Sequence, residues 1–130
     1  MRKQCHFRKI DDDTYIWDVH RLVELSQNLA IKTVALTEIQ ELHEAFWFPN
    51  SYPTTQQIIE HFQLIQAADL NYPIILCKAG RVMDGMHRVA KAQLMNLSTI
   101  QVVQFQITPQ PDFTNIDEDE LDYDDESRIL

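Results

Sequence analysis

The sequence RVMDGMHRVAKA, residues 81–92, places an acid, a glycine, a histidine and an arginine within five positions. Asp84, Gly85, His87 and Arg88 lie between apolar segments, where a strand would turn into a helix. The first N–H groups of a helix have no intrahelical acceptor and attract negative charge. Glycine lets another group approach the backbone, and a guanidinium suits a phosphate or carboxylate. The motif therefore predicts a pocket for a phosphate group or another anion.

Each residue of the motif has a candidate role in such a pocket. His87 adds a donor that can become cationic near neutral pH. Met86 occupies the first helical turn with His87 and Arg88, and Lys91 lies one turn beyond, so all are candidate phosphate ligands. Asp84 is a candidate catalytic residue, because it could position Mg²⁺ or activate a hydroxyl. The alternative is structural: Asp84 caps the helix and pairs with Arg88, and His87 satisfies a buried carbonyl.

Other side chains outside the motif could contribute to a site. Trp47 and Phe48 precede Pro49 in a loop, and they either form a lid that stacks on a nucleotide base or fasten the loop to the core. His43 and His61 are pocket candidates, although lone histidines in helices more often bond to backbone or water. Neither a CxxC motif nor any other structural zinc pattern is present, so no metal ligands are predicted.

The hydrophobic pattern predicts the elements that position the motif. These are a helix over about 18–29, a strand within 31–39, a helix over about 54–69, a hairpin formed by 73–78 and 81–83, a helix over 86–96 and a strand over 99–107. The fold class expected from this order is α/β (α+β), a single domain with a small mixed sheet flanked by helices. The residues predicted to face the core are Val19, Leu22, Val23 and Leu29 in the first helix, Ile58, Ile59, Phe62 and Ile65 in the second, and Val89, Ala90, Leu94 and Leu97 in the third.

Charge and composition divide the chain further. Residues 111–130 hold nine acids and one arginine, a charge of −8 out of the total −9, so residues 1–110 are nearly neutral. We expect a loosely ordered lead-in over 1–13, a domain over 14–110 and a mobile acidic tail over 111–130. A neutral body argues against a dedicated DNA binder. No apolar run could span a membrane, and two cysteines without a secretory signal favour a reducing cytoplasm.

The order of these segments resembles the ParB/sulfiredoxin-like superfamily over residues 33–107. The ParB-type core is similar to three successive segments of this chain: PIIL, RVMDGMHRVAKA and TIQVVQF. Sulfiredoxins carry GGCHR at this joint, where the His-Arg pair contacts ATP phosphates; Met86 replaces their nucleophilic cysteine, so sulfinic acid reduction is not expected. Free serine kinases carry DGHHR. The closest resemblance is to small bacterial ParB-like proteins of unassigned activity, and the matching residues are Trp47, Phe48, Pro53, Thr54, His61, Ile65, 68–76 and 80–92.

The resemblance implies a function that the residues alone do not. It implies a nucleotide-dependent phosphotransferase or phosphohydrolase, with ATP or ADP and Mg²⁺ as candidate cofactors and His87 and Arg88 on the phosphates. A kinase of this kind needs a carboxylate to accept the hydroxyl proton. Glu38 is the leading candidate, with Glu41 and Glu44 behind it; the alternative is that all three are solvated surface acids.

Two other functions remain open at this point. The first is a non-catalytic binding or regulatory module whose acidic tail engages a protein partner. The second is a nucleic-acid-associated ParB-like protein, which the neutral body and the lack of a helix-turn-helix pattern disfavour.

Overall fold

The computed structural model describes residues 4–116, and its contacts group the chain into two units. Among the described residues, the first unit combines 4–28 with 107–116, and the second is 29–106. Both units mix helix and sheet, so the predicted α+β class is confirmed. Among residues 4–116, no helix is both long enough and apolar enough to cross a bilayer.

The first unit is a three-stranded antiparallel sheet with one short helix. Its strands are β1 (Cys5–Ile10), β2 (Asp13–Asp18) and β7 (Phe113–Thr114), with β2 in the centre, and its helix is α1 (Val19–Leu25). Asp18 caps α1 through Oδ1, which accepts from the backbone N–H of His20 (2.9 Å). Helix α1 ends four residues earlier than predicted.

The predictions of loosely ordered segments at the two ends of the chain are partly wrong. Residues 5–13 are not a loose lead-in, because β1 pairs with β2 over six residue pairs. The tail is ordered at its beginning: Asp112 Oδ2 accepts from the backbone N–H of Asp18 (2.8 Å), and β7 pairs with β2. The rest of the acidic tail, 117–130, lies outside the described residues, and the domain limits at residues 14 and 110 stay a prediction.

The second unit is built on a mixed four-stranded sheet. Its strands are β3 (Lys32–Ala35), β4 (Ile74–Leu76), β5 (Val82–Asp84) and β6 (Thr99–Gln104), in the order β3-β6-β4-β5. Strand β4 is parallel to β6, and the other neighbours are antiparallel. Its helices are α2 (Thr55–Ala67) and α3 (Met86–Leu94), with two short 3-10 turns at Leu36–Glu38 and Gln40–His43. The predicted mixed sheet is confirmed.

The core of this unit lies between the sheet and α3. Strand β4 is buried on both faces, as expected for a central strand in a parallel pair. The buried cluster comprises Leu36, Ile39, Ile74, Leu76, Val82, Met86, Val89, Ala92, Ile100 and Val102. Cys77 is also buried, as its position in the PIIL strand predicted.

The helices bury less of their apolar surface than predicted. In α2, Ile65 is buried, whereas Ile58, Ile59 and Phe62 are about half exposed. In α3, the predicted Leu94 is exposed. Ile65 lies on the same side of α2 as His61, which bonds to α3, so the buried stripe of α2 is narrow. Val23 in α1 and Leu97 after α3 are likewise exposed.

Candidate functional site

The motif lies where the sequence predicted, between a strand and a helix. Strand β5 ends at Asp84, Gly85 takes the left-handed conformation (φ 106°), and α3 starts at Met86. The carbonyl of Gly85 accepts from the N–H groups of Arg88 (2.9 Å) and Val89 (3.1 Å). The N–H groups of Met86 and His87 precede any intrahelical acceptor, so they are free to bind from outside.

One cavity brings most of the motif together. Asp84, Gly85, His87 and Arg88 all line it, and its volume is about 280 Å³. The opposite wall comes from the end of α2 and the following turn: Leu64, Ala67, Ala68, Asp69 and Tyr72. This volume lies at the small end of the range for ligand pockets, which suits a phosphate group more than a whole nucleotide.

Inside the cavity, Asp84 and Arg88 form an ion pair. Nη2 of Arg88 lies 2.9 Å from Oδ2 of Asp84, one helical turn apart, and both side chains are about four-fifths buried. The guanidinium of Arg88 lies close to the backbone of Gly85: a Cβ added to this glycine would be 2.8 Å from Nη2 of Arg88. The structural alternative for Asp84 therefore describes one of its contacts, and an incoming anion would compete with that carboxylate for Arg88.

His87 is held by two side chains that the sequence separates widely. Its Nε2 lies 2.9 Å from Nδ1 of His61 on α2. Trp47 stacks on His87, with ring centroids 4.6 Å apart and planes 16° apart, and lies the same distance from His61. Phe48 meets the edge of His61 at 5.1 Å. Trp47 also packs against the buried core, which agrees with the hypothesis that it fastens its loop to the core.

His87, the histidine that lines the cavity, is neutral at physiological pH. Burial, helped by the nearby His61, lowers the pKa of His87 from 6.5 to about 4. Burial also lowers the pKa of His61, although Glu60 opposes it. The expectation that His87 becomes cationic near neutral pH is therefore wrong for the free protein, since desolvation disfavours the charged imidazole.

This depressed pKa predicts that the fold loses stability in mild acid. Between pH 6.5 and 4 the unfolded chain protonates His87 while the folded chain does not, so the free energy of unfolding falls as the pH falls. From pH 7 to 5 we expect His87 to account for a loss of about 1 kcal/mol after solvent screening. Urea denaturation at both pH values measures it. His87→Gln should reduce the difference; equal pH dependence in the natural protein and in this variant would contradict the assignment.

Two predicted phosphate ligands have other positions. The ammonium of Lys91 donates to the carbonyls of Gln66 (3.0 Å) and Ala68 (2.7 Å), so it closes the C-terminal end of α2 and does not line the cavity. The side chain of Met86 is buried in the core, which leaves its backbone N–H as the group that could meet a ligand.

The predicted base, Glu38, is not brought to the motif. Its Oε2 accepts from the backbone N–H of Ala35 (3.2 Å), and it lines a different cavity, of about 300 Å³, with Lys32, Arg81 and Gln104 among its neighbours. Among the residues that line the Gly85 cavity, the carboxylates are those of Asp69 and Asp84. No cluster of three His, Cys, Asp or Glu side chains fit for a metal occurs within residues 4–116.

An acid cluster around Arg81 is the largest feature that the sequence did not indicate. Glu44 binds the guanidinium through both oxygens (2.6 and 3.0 Å), and Glu41 lies 3.3 Å from Nε. Glu41 is almost fully buried, and its Oε2 accepts from the backbone N–H of Val82 (2.7 Å). Both acids therefore bind Arg81 just before β5. The surface alternative is wrong for Glu41, which is buried, whereas Glu44 is an exposed acid.

The chain was compared with protein-family models, with curated proteins and with solved structures, and none of them matches. The resemblance to the ParB/sulfiredoxin-like superfamily accordingly stays a prediction, and the site has to be interpreted from its own geometry.

Proposed function

We propose that this protein is ParB/sulfiredoxin-like and binds a phosphate-bearing ligand, a nucleotide, at the turn between β5 and α3. The observation that supports this is the shared cavity of Asp84, Gly85, His87 and Arg88, which lies at the start of α3. Gly85 has no room for a side chain, because Ile74 and Arg88 lie against its backbone, and glycine is what lets the guanidinium come this close to the start of α3. A cytoplasmic location belongs to the same proposal.

The charges in the cavity indicate the form in which such a ligand would bind. Asp69 and Asp84 supply two negative charges and Arg88 one positive charge, while His87 is neutral at pH 7. A free phosphate would therefore meet a net negative wall. Magnesium offsets that charge, because Mg²⁺ binds through one or two carboxylates together with substrate phosphates. Asp69 and Asp84 are the residues that would hold it.

For a phosphotransferase or phosphohydrolase, each group then has a separate task. Arg88 and the N–H group of His87 would bind phosphate oxygens, which positions the phosphoryl group and stabilises its charge. Mg²⁺, when bound, neutralises charge on the phosphates. Asp84 would orient the metal or the acceptor. Glu38 lies on another cavity, so the proposal assigns it no role in proton transfer.

Removal of the guanidinium should weaken binding of ADP with Mg²⁺. Charge-assisted hydrogen bonds contribute about 1.5–3 kcal/mol each, so we expect Arg88→Ala to raise the dissociation constant by at least about tenfold in titration calorimetry. Lys91→Met is the matched control, because it removes a nearby cation that contacts only the end of α2. The Lys91→Met variant should bind ADP with Mg²⁺ as tightly as the natural protein does.

Asp84→Asn tests the role of charge in the same cavity. This variant should bind ADP without Mg²⁺ better than the natural protein does, since one opposing charge is removed. If ATP, ADP, CTP and GTP all fail to raise the melting temperature with and without Mg²⁺, the proposal is wrong, and the non-catalytic binding module becomes the better hypothesis.

A further inference from the structure

The contact between His61 and His87 constrains which ring nitrogen of His87 can meet a ligand. Nε2 of His87 lies 2.9 Å from Nδ1 of His61, so Nδ1 is the other ring nitrogen through which His87, a lining residue of the cavity, could contact a ligand. His61 itself does not line that cavity. It lies on α2, and the ammonium of Lys91 on α3 joins the end of that helix to α3.

A hydrogen bond between two imidazoles contains a single hydrogen, and this restricts the pair to two arrangements. Both rings are neutral at pH 7, since burial lowers both pKa values. If His87 donates from Nε2, its Nδ1 is an acceptor; if His61 donates from Nδ1, then Nδ1 of His87 carries a hydrogen and is a donor. The second arrangement suits a phosphate oxygen in the cavity.

We propose that His61 is a positioning residue, which donates from Nδ1 to Nε2 of His87 and so holds His87 as an Nδ1–H donor toward the bound phosphate. The part that concerns phosphate rests on the function proposed above. Hydrogen bonds to the second nitrogen are how proteins generally select a histidine tautomer. The stack of Trp47 on both rings, at 4.6 Å, restricts rotation of either ring away from this geometry.

Two substitutions at His61 separate the hydrogen bond from the packing. His61→Phe keeps an aromatic ring against Trp47 and Phe48 but removes the hydrogen bond. His61→Asn provides an amide near the position of Nδ1, which can donate to His87 but does not titrate. Because His61 is partly exposed, we expect both variants to fold, and a backbone amide spectrum of each variant checks this.

Nitrogen-15 spectra of the imidazole rings at pH 7 test the proposal without a ligand. In the natural protein and in His61→Asn, we expect His87 to be protonated at Nδ1 and to accept at Nε2. In His61→Phe, His87 should change to the Nε2–H tautomer, which a neutral imidazole favours in water. If His87 shows the same tautomer in the natural protein and in His61→Phe, or Nε2–H in both the natural protein and His61→Asn, the proposal is overturned.

Addition of ADP with Mg²⁺ to the same samples tests the phosphate part separately. We expect the Nδ1 signal of His87 to shift in the natural protein. The His61→Phe variant should bind ADP about fivefold more weakly, and the His61→Asn variant should bind ADP as tightly as the natural protein. If ADP does not bind any of the three proteins while the tautomer follows the prediction, the proposed function fails and the positioning role of His61 remains. If ADP binds all three equally, the contribution of His61 to phosphate binding is overturned.

Discussion

Replacement of Gly85 by alanine should destabilise the protein by about 2–4 kcal/mol. A Cβ at this position would lie 2.6 Å from Cγ2 of Ile74 and 2.8 Å from Nη2 of Arg88. Arg88 can rotate away, but only by leaving Asp84, whereas Ile74 is fully buried in the core and has no space to move. The φ of 106° adds strain for any residue with a side chain.

The chain contains its own control for this substitution. Gly80 also has a positive φ, of 83°, in the turn between β4 and β5, but a Cβ there would meet its nearest neighbour, Gln104, at an ordinary 3.8 Å. Gly80→Ala should therefore cost only the conformational strain, about 1 kcal/mol. Urea denaturation of both variants measures the difference. Equal losses would show that Ile74 and Arg88 do not pack closely against the backbone at Gly85.

Replacement of Glu41 by alanine should have an effect of similar size, about 3 kcal/mol. Glu41 is only 2% exposed, and the change leaves the buried N–H of Val82 without its acceptor and creates a cavity at the same time. Its other oxygen, Oε1, is buried and has no hydrogen-bond partner among the described residues. Glu41→Gln keeps an acceptor for Val82, so it should cost less than alanine.

Glu44 is the matched comparison, because it binds the same guanidinium at the surface. Its side chain is 43% exposed, and surface ion pairs contribute little to stability, so Glu44→Ala should destabilise the protein far less than Glu41→Ala does in urea denaturation. The interaction with Arg81 lowers the pKa of Glu44, which agrees with a pair that forms in solvent but does not by itself imply stability. A loss as large as that of Glu41→Ala would show that the Arg81 pair matters more than the buried contact with Val82.

Local sequence was sufficient to predict the position of the candidate site. Four successive elements lie where the hydrophobic pattern predicted them: the PIIL strand, the Ala79–Gly80 turn, the strand that ends at Asp84 and the helix after Gly85. The Thr54 cap of α2, with Gln57 returning the bond, is a local feature of the same kind. These features depend on residues within four positions of one another, and such interactions can be derived from spacing alone.

The N-terminal hairpin shows how a local pattern can be missed. Charged residues in 1–13 suggested a loose segment, yet β1 and β2 form around a turn at Asp11, which has a positive φ of 57°. Asp is tolerated in that conformation, so three consecutive aspartates between FRKI and TYIW were a hairpin signal. The net charge of the segment obscured it.

What the sequence alone determined is therefore the α+β class, the strand–glycine–helix joint and the four residues of the motif that share a cavity. What the tertiary structure decided is which distant residues meet them: His61 bonds to His87 from 26 positions away, Lys91 closes α2, and Glu38 lies on another cavity. The physical reason is that backbone periodicity specifies an element and its faces, whereas the neighbours of each face depend on how separate elements pack. The neutral state of His87 follows from that packing, because its burial and the nearby His61 are absent from the isolated motif.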